Sequence, residues 1–172
     1  MGNAVDDGAV SRVRSAEADV HAGTPLCGSY QHRIDEKGRV AVPAPLRREL
    51  PQGSVVAPGP ERRLMIWPPD QWTEYTERIR RTAETPAQER RFVRLLFSRT
   101  YPFEVDAQGR LLLTAWQREW LQATDALVFI GVGNAVELAS EATDLGDLEP
   151  DEYTRFHDLV SQRHSAGGTG TA

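Results

Sequence analysis

The sequence predicts an α+β fold in two tandem halves, each running strand–turn–strand–helix–strand–turn–strand, with a helical linker between them. Three observations carry this prediction. A 21-residue segment recurs, without a gap, at an offset of 71 residues. Each copy holds an Asp-x-x-Gly-Arg turn between short apolar stretches. Between the copies lie two stretches with helical periodicity.

The repeat places Tyr30–Leu50 over Tyr101–Leu121. Seven of the 21 positions are identical: Tyr30/Tyr101, Asp35/Asp106, Gly38/Gly109, Arg39/Arg110, Ala44/Ala115, Arg47/Arg118 and Leu50/Leu121. Apolar character also matches at Ile34/Val105, Val40/Leu111 and Val42/Leu113. Tyr101, Phe103 and Val105 alternate as in a half-buried strand. Asp35 and Asp106 suit a reversal, because their side chains can bond the backbone two residues on. Gly38 and Gly109 accept a positive φ without steric cost. A second strand, Arg39–Val42 or Arg110–Leu113, and a short helix follow. Each half then shows another extended pair: Ser54–Ala57 and Leu64–Trp67 about Pro58-Gly59-Pro60, and Ala126–Ile130 and Ala135–Leu138 about residues 131–134.

The linker starts with a helix over Pro69–Thr82, whose Trp72, Tyr75 and Ile79 share one face. A second helix begins at Thr85-Pro86-Ala87-Gln88, which has an N-cap, a proline at N1 and the glutamine of a capping box. Its apolar residues Phe92, Val93, Leu95 and Leu96 read as core. A last amphipathic helix over Pro150–Gln162 carries Tyr153, Phe156, Leu159 and Val160 and is expected to dock weakly or fray. The resulting divisions are a disordered arm at 1–26, a first half at 27–72, a helical linker at 73–99, a second half at 100–142, and an acidic helix and tail at 143–172.

Charge follows these divisions. The net −5 of the chain is concentrated at its ends, with −2 over 1–26 and −5 over 141–172, leaving +2 in the middle. A mildly basic centre permits nucleic-acid binding without demonstrating it. Arginine counts add little, since Lys37 is the sole lysine among twenty basic residues.

Several classes are disfavoured. The longest apolar run, Ala126–Val132, is too short to span a bilayer. The first residues lack the basic-then-apolar order of a signal peptide, so a cytoplasmic protein is the expectation. Cys27, the single cysteine, fits a reducing compartment and reads as a small buried thiol. His21, His32, His157 and His164 lie apart, and neither zinc-ligand spacing nor a phosphate-binding glycine loop is present. Neither an enzyme nor a cofactor is expected. Asp35-Glu36 invites a metal reading, but Lys37 beside them and the lone Asp106 of the second copy discourage it.

The repeated Asp-x-x-Gly-Arg hairpins about a helical linker resemble the MraZ family. The resemblance rests on Ile34–Pro43 with Arg47, on Trp67-Pro-Pro-Asp-Gln-Trp72, on Glu89–Phe97, on Asp106–Arg110, and on Gly131, Asn134, Glu137 and Leu138. It covers about residues 26–140. Thr114 for Pro43, Gln117 for Leu46 and Ala139 for a frequent tryptophan are departures that touch packing rather than the turns. The resemblance implies two AbrB-like halves closing a swapped-hairpin, pseudo-twofold β-barrel. It further implies assembly into rings and binding to direct repeats in double-stranded DNA. The family acts, usually as a repressor, upstream of the division and cell-wall gene cluster containing its own gene, so association with the nucleoid is expected.

On this reading Arg39 and Arg110 face DNA together, since a guanidinium fits guanine O6 and N7, or a phosphate, with two bonds. Lys37 suits phosphate positioning, and Arg33 lies near enough to touch the backbone. Asp35, Gly38, Asp106 and Gly109 support the turns. Arg47 and Arg118, at one helical position, suggest a salt bridge or an oligomer contact. Two rival readings are a ring-forming protein-interaction module without DNA binding, and an antitoxin. The antitoxin is disfavoured because both halves are complete.

Overall fold

The structure is a computed structural model that describes residues 25–82, 85–141 and 149–166, with side chains up to Leu159. The first half holds β1 (Ser29–Arg33), β2 (Arg39–Ala41), α1 (Ala44–Glu49), β3 (Val55–Pro58) and β4 (Leu64–Trp67). The linker is α2 (Pro69–Thr82) and α3 (Pro86–Phe97). The second half holds β5 (Tyr101–Pro102), β6 (Arg110–Leu112), α4 (Ala115–Leu121), β7 (Ala126–Gly131) and β8 (Val136–Ser140), and α5 (Pro150–Ala166) follows.

The strands form an open six-stranded antiparallel sheet in the order β1-β7-β8-β4-β3-β5, and a separate two-stranded ribbon of β2 and β6. The sheet has edges at β1 and β5, so its hydrogen bonding does not close the barrel that the resemblance implies. Apart from the hairpins β3–β4 and β7–β8, pairing nevertheless crosses between the halves. β1 runs against β7, with Tyr30 opposite Phe129; β5 runs against β3; β4 runs against β8, with Leu64 opposite Leu138. The ribbon pairs Val40 with Leu111. Neither half can therefore complete its sheet alone.

The packing explains the apolar pattern. Val40, Val42 and Leu46 meet Leu111, Leu113 and Leu121 in one core with Phe129, Leu127 and Leu138. β4 is buried on both faces: Leu64 and Ile66 enter this core, while Met65 and Trp67 join a second cluster beneath the linker. Alternation with both faces covered produces its unbroken apolar run. Trp72, Tyr75 and Ile79 pack on the second cluster as their periodicity predicts, and Trp67 stacks on Tyr75 at 4.8 Å.

Several expectations need revision. Of the α3 residues read as core, Leu96 is buried, whereas Phe92 and Leu95 are 48 and 57% exposed. Helical periodicity marks an apolar side but does not say how much of it neighbours cover. Cys27 is exposed, because it lies where the chain enters along Gly131 rather than beneath a helix. Leu26, assigned to the arm, is buried and exchanges backbone hydrogen bonds with Gly133 at 2.9 and 2.7 Å. Packed structure thus begins at least one residue earlier than composition suggests. The rest of the arm, at 1–24, and most of the acidic segment before α5 lie outside the described residues.

The expected cap of α3 forms, with Thr85 accepting from the Gln88 amide. The full reciprocal box forms at α4, where Thr114 accepts from the Gln117 amide at 3.2 Å and Gln117 Oε1 accepts from the Thr114 amide at 2.9 Å. This accounts for both departures at α4. Gln117 is as buried as Leu46, but its amide is spent on the cap that Thr114 opens.

Candidate nucleic-acid interface

Each Asp-x-x-Gly-Arg turn is built on its aspartate. Asp35 Oδ1 accepts from the amides of Lys37 and Arg39, both at 2.9 Å. Its Oδ2 accepts from Arg39 Nε at 2.8 Å and lies 2.7 Å from Nη2. Asp106 repeats the pattern atom for atom, with the amides of Gln108 and Arg110 at 2.9 Å and Arg110 Nε and Nη2 at 2.8 and 2.7 Å. Gly38 and Gly109 adopt φ of +78° and +75°, where a side chain would be strained. Each aspartate thus ties two amides of its own turn to one arginine side chain.

The ribbon of β2 and β6 brings the two turns together. Arg39 pairs across from Leu112, and Ala41 from Arg110. Arg110 Nη1 lies 3.7 Å from Asp35, the carboxylate of the other turn. Both guanidiniums are about a quarter exposed. Each aspartate engages the Nε–Nη2 side of its own arginine, and the Nη1 of Arg110 also faces Asp35. The Arg39 side-chain hydrogen bond, above all other causes, lowers the Asp35 pKa. The Arg110 side-chain hydrogen bond likewise lowers that of Asp106, to about 2. The two carboxylates stay ionised at neutral pH and balance the two guanidiniums, so orientation rather than excess charge distinguishes the paired turns.

A second set of contacts crosses between the halves. The Gly109 carbonyl accepts from the Val42 amide at 3.0 Å and from Arg47 Nη1 at 3.4 Å. The Gly38 carbonyl accepts from the Leu113 amide at 2.9 Å. A Cβ on Gly109 would run into Arg47 Nη1, and a Cβ on Gly38 into Arg118 Nη1. Each helical arginine thus lies against the turn of the opposite half. The salt-bridge reading of Arg47 and Arg118 gives way to this arrangement, since neither has a carboxylate partner among the described ion pairs. The signal was present in the sequence: the two arginines share the repeat offset of the turns.

The other cations stand differently. Lys37 is exposed at the tip of the first turn, and Gln108 takes its place in the second. Arg33 lies on β1 opposite Ala126, lining a concavity with Gln31, Asp125 and Glu141. Sequence reading missed the stacked Trp116 and Trp120 of α4, with Arg99 4.8 Å over the first and Arg62 6.0 Å over the second. Among the described residues there is no group of three metal-ligating side chains, and no helix is long and apolar enough to cross a membrane.

Residues 26–95 match the family model described as "MraZ protein, putative antitoxin-like". A "Transcriptional regulator MraZ" of Desulfitobacterium hafniense is 39% identical over 115 residues, covering 67% of this chain and 80% of that protein. Proteins of the same name from Moorella thermoacetica and Carboxydothermus hydrogenoformans are 37 and 38% identical, again over 80% of their lengths. The shares of this chain covered are 67 and 66%. With relatives this similar over four-fifths of their length, and with two matching Asp-x-x-Gly-Arg turns held on one ribbon, this chain belongs to the MraZ family.

Proposed function

We propose that this protein is a sequence-specific DNA-binding transcriptional regulator that meets DNA with the paired turns Asp35–Arg39 and Asp106–Arg110. The observation that supports this most is the matched pair of aspartate-braced arginines on one ribbon. Two guanidiniums with fixed orientation supply bidentate donors for base edges or phosphates, and bracing them beforehand reduces the ordering cost of binding. Lys37 adds a phosphate contact, and Arg33 a contact farther along the backbone. The names of the relatives agree with a regulatory role.

The exchanged strands are read here as the single-chain form of a swapped-hairpin barrel. One such unit offers few cationic contacts, so it binds weakly and with steep salt dependence. A homo-oligomeric ring gains by presenting several turn pairs to direct repeats at high effective concentration. The sites we propose lie upstream of the division and cell-wall cluster that includes its own gene, where binding represses transcription. The protein would then act in the cytoplasm, at the nucleoid.

The test is fluorescence anisotropy with a DNA fragment from upstream of the protein's own gene, against a scrambled fragment, at several salt concentrations. Preference for the native fragment, reduced about tenfold or more in the Arg39→Ala, Arg110→Ala double variant, supports the reading. Absence of preference at every salt concentration, with the assembly intact, removes it in favour of a protein-interaction module.

A further inference from the structure

We propose that α5 of one copy docks in an apolar groove of a second copy, making a head-to-tail contact. The groove, of about 710 Å³, lies between the β3–β4 turn, α3 and α4 and is lined by Pro58, Trp67, Leu95, Trp116 and Trp120. Phe92 and Leu95 stand exposed along it. Its surroundings are basic: Arg62 and Arg99 lie over the two tryptophans, and Arg90, Arg91 and Arg94 line the adjoining surface of α3. The buried indole N–H of Trp67, in the groove wall, has no acceptor.

The helix is the counterpart. Tyr153, Phe156 and Leu159, each 58–68% exposed, recur every three residues and so fall within one side of α5. Asp151, Glu152 and Asp158 share the helix, and none of them is paired with an arginine among the described ion pairs. An apolar stripe on a helix whose residues 150–159 carry three acids against one arginine fits an apolar groove with basic surroundings, which is the helix-in-groove mode of recognition.

Two facts favour a second copy as the occupant. Within one chain every described side chain of α5 is exposed, so the helix leaves its own groove open. Nine residues separate Ser140 at the end of β8 from Pro150, a reach of up to about 30 Å, enough to present the helix to a neighbour. Because groove and helix are different patches, the contact is heterologous and can continue from copy to copy. It gives the self-association proposed above a specific contact and does not depend on DNA binding.

Sedimentation velocity on the full chain tests it, alongside Phe156→Glu in the helix and Leu95→Glu in the groove. Both positions are exposed, and circular dichroism checks that the variants fold. The expected result is assembly of the unmodified chain, association weakened about tenfold or more in each variant alone, and pairs restored on mixing the two. Mixing should succeed because one variant keeps its groove and the other its helix. Three outcomes overturn the proposal: a chain monomeric at all concentrations, variants that assemble like the parent, or Phe156→Glu changing tryptophan fluorescence without changing mass. The last would place the helix on its own body. Assembly that is intact while DNA preference is absent would remove the regulator reading and leave this contact standing.

Discussion

Arg47, on the short helix of the first half, reaches the turn of the second half and donates to the Gly109 carbonyl at 3.4 Å. Arg118 lies in the same way against Gly38. Each turn is thus held by its own aspartate and by an arginine from the other half, which predicts a crosswise response. Arg47→Ala should raise amide hydrogen exchange at Gln108–Arg110 about fivefold, the equivalent of one hydrogen bond of ~1 kcal/mol, with less effect at Lys37–Arg39. Arg118→Ala should do the reverse. Exchange rising equally in both turns for either variant would argue against the crossing.

Replacing a turn glycine tests the same packing from the other side. Gly109→Ala places a Cβ at φ +75° and into Arg47, and is expected to cost about 1–3 kcal/mol of stability. Gly133→Ala also sits at positive φ, +89°, but meets nothing within 4 Å, so it should cost only the backbone strain of ~1 kcal/mol. Combining Gly109→Ala with Arg47→Ala should recover part of the loss in a double-mutant cycle by denaturant unfolding. Strict additivity would show that the two do not interact.

The ion pairs of the turns carry a pH signature. Asp106 has a pKa of about 2 in the folded chain against an ordinary 3.8, so the favourable interaction is fully present above the ordinary value. It is lost as pH falls through about 2. Asp35 shifts in the same direction. A carbon-13 titration of the Asp106 carboxyl should therefore show a midpoint near 2, moving up toward the ordinary value in Arg110→Ala. A midpoint of 3.8 in the unmodified protein would mean that the Asp106–Arg110 pair does not persist in solution.

The second half depends on a polar cap where the first uses proline. Thr114→Ala removes the acceptor for the Gln117 amide and leaves the buried Gln117 side chain without the constraint of its box. The expected loss is about 1 kcal/mol, roughly 2–4 °C in Tm for a chain of this size. Thr114→Ser should retain most of it. An unchanged melting temperature in Thr114→Ala would show the cap to be dispensable.

Much of the local structure was legible. α2 spans Pro69–Thr82 and β4 spans Leu64–Trp67, as periodicity and flanking prolines indicate. The turns follow from Asp35, Gly38, Asp106 and Gly109, because side-chain bonding to nearby amides and a positive φ are local properties. The packing of α3 was not legible. Phe92 and Leu95 carry the signal of a buried face, yet the sheet and α2 cover only the side that holds Leu96. Arg47 and Arg118 were marked as equivalent by the repeat, but their targets lie 62 or more residues away and no local pattern names them.

The sequence by itself determined that there are two like halves, through a repeat at one offset, and where each turn falls, since a turn depends on residues within five positions of one another. Only the tertiary structure decided that β1 pairs with β7 and β5 with β3, that the two turns share one ribbon, and that each helical arginine serves the opposite turn. Strand pairing between similar halves is chosen by which exchange buries both apolar faces at once, and that quantity exists only when the whole chain is packed.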